Sequence, residues 1–135
     1  MTSREQAGEL KLLPALNKAA ISSNTTTNGT GIDVSDYEAV TFGFQAHTLT
    51  DGTYTPLIRE SDDNSTYTDV DDADLTVTEA SIAFAATDDN TVKKIGYTGN
   101  KKYVRASVVS TGVTSGGDMS AFAVLGRPKV CRPIA

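Results

Sequence analysis

The sequence predicts an all-β domain, an antiparallel β-sandwich or jelly roll of about seven or eight strands with extended N- and C-terminal arms. Three observations favour this class. Helical periodicity is nearly absent, and residues that favour strands and turns, namely Thr, Ser, Asp, Gly and Asn, are abundant. Apolar residues recur at every second position in several short segments. Turn-forming residues separate those segments at regular intervals.

The clearest alternation lies in residues 40–46, where four apolar side chains fall on one face of a predicted strand. Residues 54–61 are predicted to form the next strand, in which Pro56 favours a position at the edge of a sheet. Between them, Asp51-Gly52 tolerates the positive φ that a tight turn requires. These two strands are therefore predicted to pair as a hairpin.

Further segments with the composition of short strands complete the count: residues 18–22, 81–85, 92–97, 102–109 and 119–125. The turn signal at residues 98–101 predicts a second hairpin, between the strands on either side of it. Residues 115–118 predict the turn that precedes the closing strand. The order of the strands in the sheets stays open at this point.

The 135 residues fit one domain, which we place at residues 18–128. Residues 1–17 are predicted to form an N-terminal arm with an apolar stretch, which either docks on a neighbouring subunit or packs on its own domain. Residues 129–135 are predicted to form a basic, proline-punctuated tail that contacts partners. The residues expected to contact a partner come from these two ends of the chain: Leu10, Leu12, Leu13, Leu16, Arg127, Lys129 and Arg132.

Charge is unevenly distributed along the chain, whose formal net charge is −5. Residues 33–90 hold 14 acidic residues and one basic residue, whereas residues 91–135 hold eight basic residues and one acidic residue. Such asymmetry suits self-association or docking on a charged surface. The alternative is that the two segments neutralise each other within one fold.

The sequence contains no recognisable catalytic, cofactor-binding or metal-binding motif, so we expect a protein that is not an enzyme and needs no cofactor. His47 is the only histidine and Cys131 the only cysteine, which excludes an internal disulfide and disfavours a triad or a structural zinc site. Acidic residues cluster at 60–63 and 69–74 without the spacing of an EF-hand. Solvated loops are expected there, and calcium binding stays open.

Two further classes of partner are disfavoured. Basic residues between positions 93 and 105, with Tyr97 and Tyr103 among them, have the composition of a stacking platform for nucleic acid, but the acidic middle of the chain opposes phosphate binding. No stretch is long and apolar enough to span a bilayer. Residues 1–6 lack the apolar run of a secretory signal, so we expect synthesis in a cytoplasm.

Four segments resemble small virion proteins of tailed bacteriophages: YEAVTF at 37–42, TDGTYTPLIRESDD at 50–63, KIGYTGNKKYVR at 94–105 and VLGRP at 124–128. The resemblance implies a capsid cement (decoration) protein with a jelly-roll fold. Such a protein binds the outside of a phage capsid and ties subunits of the major capsid protein together. It also implies assembly on the virion surface after synthesis in the bacterial cytoplasm. A homo-oligomer, a dimer or trimer at a capsid symmetry position, is the expected form.

Two other functions stay open. A head–tail connector, tail or spike-base protein belongs to the same virion and differs from a cement protein in copy number. A carbohydrate- or receptor-binding module needs exposed aromatic rings, and the candidates for such rings are Tyr37, Tyr54, Tyr67 and Tyr97.

Overall fold

The computed structural model describes residues 10–128 and confirms the all-β class; residues 1–9 and the predicted tail lie outside it. The strands of this part are β1 Lys11–Ile21, β2 Thr26–Asn28, β3 Ile32–Asp33, β4 Tyr37–Leu49, β5 Thr53–Ser61, β6 Thr68–Asp69, β7 Phe84–Ala85, β8 Val92–Tyr97, β9 Tyr103–Thr111 and β10 Gly117–Pro128. Short 3-10 turns lie at Asp72–Asp74, Glu79–Ile82 and Ala86–Asp88. Within residues 10–128, no helix has the length and hydropathy needed to cross a membrane.

The strands form two antiparallel sheets. Sheet A has the order β1-β10-β4-β8, and sheet B has β9 and β5 at its centre, with β2 and β3 along one edge and β6 and β7 along the other. Strands from the first half of the chain pair with strands from the second half, from the two ends of the chain inward. The pairs are β1 with β10, β2 and β3 with β9, β4 with β8, and β5 with β6 and β7. This is the winding of one long hairpin rolled into two sheets, the jelly roll.

The core lies between the two sheets. Its largest fully buried side chains include Phe42 and Phe44 of sheet A, Tyr54 and Ile58 of sheet B, and Phe84 of β7. They belong to one apolar cluster, which contains the four alternating residues predicted for the strand at 40–46. Burial of each such side chain contributes about 1.5–3 kcal/mol, so this interior stabilises the sandwich from both sheets.

Both predicted hairpins are wrong. β4 lies in sheet A and β5 in sheet B, so the turn at Asp51-Gly52 carries the chain from one sheet to the other. Gly52 does have the expected positive φ, 91°. β8 and β9 also lie in different sheets, and residues 98–101 between them have no positive φ. In a jelly roll most connections cross between sheets, and the chemistry of a turn does not decide which strands pair.

The opening strand begins earlier than predicted. β1 spans Lys11–Ile21 rather than residues 18–22, and it pairs with β10 along this length. The predicted boundary between an arm at 1–17 and a domain at 18–128 therefore falls inside a strand. From residue 11 onward, the segment predicted as an arm is part of sheet A.

Irregular pairing explains why β1 was not predicted in full. Its register with β10 shifts between Pro14 and Leu16 and again between Leu16 and Ala19, as at β-bulges. Ala15 and Leu16 are consecutive in sequence and are both buried. The bulges interrupt the period-two pattern by which a half-buried strand is recognised.

The other predicted strands have mixed outcomes. Those at 92–97, 102–109 and 119–125 are confirmed as β8, β9 and β10. In the strand predicted at 81–85, residues 81 and 82 belong to a 3-10 turn instead, and only β7, Phe84–Ala85, is extended. The short strands β2, β3 and β6, which have two or three residues each, were not predicted because such lengths carry no recognisable pattern.

Pro56 lies in a central strand at a point where one side has no neighbouring strand. β5 pairs with β9 along its whole length. On its other side, β7 pairs with Thr53 and Tyr54, and β6 pairs with Arg59 and Glu60, so residues 55–58 have no neighbouring strand on that side. In this gap the backbone N–H of Ile58 donates to Glu79 Oε2 at 2.5 Å. Alternate residues of a strand direct their backbone groups to the same side, so the Pro56 nitrogen faces the gap and interrupts no ladder hydrogen bond.

Candidate interaction surface

Packing inside the domain accounts for two of the predicted partner contacts. Leu16 is buried in the core, and Leu13 is half-buried against it. The expectation that these side chains reach a partner is corrected here, because β1 is a strand of sheet A and directs them inward. Lys129 and Arg132 lie outside the described residues.

The remaining predicted contacts, Leu10, Leu12 and Arg127, lie at the surface. Leu12 is 67% exposed, a large fraction for a leucine in a strand. Leu10 is half-buried beside Gly126 of β10, where an added Cβ would lie 3.1 Å from the Leu10 side chain. Arg127 is exposed near the end of β10 and has a φ of 48°, which is uncommon for a residue other than glycine.

An apolar patch lies on the outer face of sheet A. The register of β1 and β10 places Leu12 opposite Val124 and Pro14 opposite Phe122. Leu12 and Phe122 are large apolar residues with 67% and 37% of their surface exposed, and Val124 is half-buried. We call these four residues the β1–β10 patch. Of these four, the sequence prediction of partner contacts named only Leu12; Pro14, Phe122 and Val124 were missed.

The neighbouring strand supports this patch with a glycine. Gly43 of β4 lies directly opposite Phe122 in the register of β4 and β10. The far end of the Phe122 ring covers Gly43 so closely that a Cβ there would collide with it. A glycine in a strand interior marks such a close approach, and an aromatic ring across the strand covers the exposed backbone. The Phe122 ring therefore lies close to the backbone of β4.

The acidic and basic segments of the chain meet in the fold. Ion pairs in residues 10–128 are Lys18–Asp118, Arg59–Asp69, Lys93–Asp88 and Lys101–Asp62. The last two join the acidic segment to the basic one, with Nζ–Oδ2 distances of 3.6 and 2.9 Å. Partly exposed pairs of this kind contribute little to stability. They do support the alternative in which the two segments neutralise each other in part within one fold.

Aspartates of the acidic loops bind groups of their own chain. The Asp63 carboxylate accepts hydrogen bonds from the backbone N–H groups of Ser65 and Thr66 and from the Ser61 hydroxyl. These donors hold the pKa of Asp63 below its ordinary value of 3.8. In the described chain, no three His, Cys, Asp or Glu side chains are arranged to hold a metal ion.

His47 lies on the outer side of β4, where its Nε2 is 2.9 Å from the hydroxyl of Ser120 on β10. A hydrolytic triad also requires a carboxylate that orients the imidazole. Within residues 10–128, His47 forms no hydrogen bond or ion pair with a carboxylate. This pair therefore has the geometry of a polar contact between strands.

Two of the four candidate tyrosines are core residues. Tyr54 is fully buried, and Tyr97 is buried with its hydroxyl donating to Glu60 Oε1 at 2.8 Å. Burial raises the pKa of Tyr97 above its ordinary value. A stacking platform that includes the Tyr97 ring is therefore not formed. The ring of Tyr67 is half-buried and lies against the Arg105 guanidinium, 4.2 Å from the ring centre.

A shallow cavity of about 370 Å³ lies at one end of the sandwich. Its walls are the β3–β4 connection, which includes Ser35, and the β8–β9 connection, which includes Gly99 and Asn100. Tyr37 is the one half-exposed ring on this wall, since Tyr97 is turned inward. A single half-exposed ring offers little of the stacking surface that a sugar site requires.

No protein-family model and no curated protein matches the chain. A solved structure, the PBSX exported protein XepA, superposes on 99% of this chain with a TM-score of 0.56 and 18% sequence identity. The two proteins share a fold. A second, infectious bursal disease virus Gx strain, covers 92% of this chain with a TM-score of 0.48 and 14% identity. This chain spans 42% and 34% of the length of those two chains, less than half in each case.

Proposed function

We propose that this protein is a structural component of a phage virion, and specifically a cement (decoration) protein that binds the outside of the capsid and ties subunits of the major capsid protein together. The observation that carries the proposal is that the domain's own side chains fill the interior of the jelly roll. The features available for a function therefore lie on its surface. The fold shared with the PBSX exported protein XepA and the resemblance of four segments to phage virion proteins support the virion role.

The proposed activity is binding. The protein acts without catalysis or a cofactor, and its partners are the major capsid protein and further copies of itself rather than nucleic acid or a membrane. Shells are held by many symmetric contacts, and a rigid domain that bridges neighbouring subunits strengthens all of them at once.

The alternative within the same virion is a head–tail connector, tail or spike-base protein. Such a protein can have the same fold but is present in fewer copies per particle. A carbohydrate-binding role is less well supported, because Tyr54 and Tyr97 are committed to the core and Tyr67 stacks on Arg105.

Binding to shells tests the proposal. Purified protein is added to expanded shells assembled without it, and bound protein is measured by co-sedimentation. We expect saturation at a fixed ratio to the major capsid protein and a higher temperature of shell disruption. Saturable binding to isolated tails or necks, with none to shells, would support the alternative and contradict the cement role.

A further inference from the structure

Two arginines lie side by side on the outer face of sheet B. The register of β5 and β9 places Arg59 directly opposite Arg105. Their neighbours Ile58 and Ala106 are fully buried in the core, so both arginine side chains belong to the outer face. On the far side of β5, Asp69 lies opposite Arg59, and its Oδ1 accepts a hydrogen bond from Arg59 Nε at 2.8 Å. Like charges opposite each other in a sheet repel, and this ion pair neutralises Arg59 but not Arg105.

Arg105 is held in place but has no carboxylate partner among residues 10–128. Its guanidinium lies 4.2 Å from the centre of the Tyr67 ring. The Tyr67 hydroxyl donates to Asn64, and both groups lie against the backbone of Gly31, so the ring is fixed across this face. The Arg105 Nε is buried with no hydrogen-bond partner. The two terminal nitrogens form no hydrogen bond or ion pair within the described chain, and because they are not buried they are accessible to a ligand.

The carboxylates that border this face already have partners in the chain. The Asp33 carboxylate accepts hydrogen bonds from the backbone N–H and the hydroxyl of Ser35 at 2.9 and 2.6 Å. Asp62 accepts a hydrogen bond from Lys101 Nζ at 2.9 Å, and Asp63 accepts its hydrogen bonds from its own loop. The described chain therefore provides no carboxylate within ion-pair distance of the second arginine of the pair.

A second donor and a neutral surface lie next to Arg105. Ser107, the next outward residue of β9, is fully covered, and its hydroxyl donates to Asn28 Oδ1 at 2.9 Å. This hydrogen bond uses the oxygen of the Asn28 amide, so the amide N–H groups are left as donors. On the other side of Ser107 lies Leu57, which is half-buried, and the half-buried Val109 follows along β9. The charged group is therefore bordered by an amide donor and by partly apolar surface.

We propose that Arg105, together with the Asn28 amide, binds the carboxylate of a glutamate or aspartate on an extended segment of a protein partner. A planar carboxylate accepts two parallel hydrogen bonds from a guanidinium, and stacking on an aromatic ring pre-organises the guanidinium to donate them. A phosphate group carries more negative charge and would meet stronger repulsion from Asp63 and Asp69, in a chain whose net charge is −5. The partly apolar surface at Leu57 receives the side chains next to the acidic residue. Because the purified chain alone binds such a segment, the test does not depend on the proposed virion role.

Nitrogen–proton NMR spectra of the purified protein test the proposal. The reporters are the Nε–H signal of Arg105 and the side-chain amide signals of Asn28. The probe is a blocked tripeptide with a central glutamate, and the control ligands are inorganic phosphate and the same peptide with glutamine in place of glutamate. We expect the glutamate peptide to shift both reporters along one saturable curve. The two control ligands are expected to bind at least about tenfold more weakly.

Two variants remove the site in different ways. Arg105→Gln removes the charge and is expected to weaken binding of the glutamate peptide by about tenfold or more, as read from the Asn28 signals. Asn28→Asp places a carboxylate of the chain itself beside Arg105 and is expected to weaken binding by a similar factor. This second change keeps the oxygen that accepts from Ser107, so we expect it to leave the fold intact. Circular dichroism and thermal unfolding check that both variants are folded.

Lys94→Gln is the matched control. It removes the same charge from an exposed residue of β8, which lies opposite Gly43 in sheet A. We expect this variant to bind the glutamate peptide as the wild type does. Three results would each overturn the proposal: no saturable shift at Arg105 and Asn28, phosphate binding at least as tight as that of the peptide, or an equal loss of binding in Lys94→Gln.

Discussion

At the scale of single residues, Asp51 shows how a turn residue joins distant parts of the fold. Its carboxylate accepts hydrogen bonds from the backbone N–H groups of Thr114, Ser115 and Gly116 at 2.9–3.2 Å. The β4–β5 turn and the β9–β10 turn are thereby held together. The donors from Gly116, Ser115 and Thr114 keep the pKa of Asp51 below its ordinary value of 3.8, because they stabilise the charged form.

Asp51→Asn is expected to reduce stability at neutral pH and to reduce its dependence on acid. A carboxyl whose pKa is lowered by folding stabilises the protein above its unfolded value of 3.8, and this contribution is lost as the pH falls through the folded value. Urea denaturation at about pH 7 and about pH 3 measures the difference. Asp36→Asn, at an exposed aspartate, is the control. Equal acid sensitivity of the wild type and Asp51→Asn would contradict the role of this carboxylate.

At the scale of elements, β10 explains why Phe122 was not recognised as a surface residue. The alternation of residues 119–125 alone does not indicate which face of the strand is buried. Large apolar side chains such as Phe122 usually lie on the buried face. The structure buries Ala121 and Ala123 because they lie opposite Phe44 and Phe42 of β4, which already fill the core at these positions. This complementarity is visible only once β10 is known to pair with β4, whose sequence lies about 80 residues away.

The sequence reasoning located most of the long strands, but both hairpins that it predicted are wrong. The strand at 40–46 was predicted because its alternation is regular, and Asp51-Gly52 was predicted as a turn because glycine accepts its φ of 91°. The pairing of β1 with β10 and of β4 with β8 joins segments far apart in the chain, and no local signal specifies it. Leu12 was predicted to contact a partner because it lies in an apolar segment, and its side chain is exposed, but the same segment also contains the core residue Leu16.

Two substitutions in β1 separate its core side from its surface side. Leu16→Ala removes a side chain that is 7% exposed and is expected to lower the free energy of unfolding by about 2–5 kcal/mol. Leu12→Ala is the matched control from the same strand and is expected to change the free energy of unfolding of the monomer by about 0.5 kcal/mol or less. Chemical denaturation at low protein concentration checks both. Similar small effects would show that β1 contributes little to the domain.

At the scale of the whole molecule, the rolled-up topology places both ends of the described chain side by side, since β1 and β10 are neighbours in sheet A. The same pair of strands supplies the β1–β10 patch. The charged loops lie elsewhere, and ion pairs between the acidic and basic segments neutralise part of the charge there. The β1–β10 patch itself contains no charged residue, whereas the exposed Lys94 of β8 lies opposite Gly43 on the same side of sheet A.

The copy number of this chain relative to the major capsid protein, measured by quantitative mass spectrometry of purified virions, tests the proposed cement role most directly. The account predicts a simple large fraction of the major capsid protein, up to one to one, because a cement protein occupies symmetry-related positions over the whole shell. A handful of copies per particle would contradict the cement role and move the protein to the neck or tail. Its absence from virions would contradict a structural role in the particle altogether.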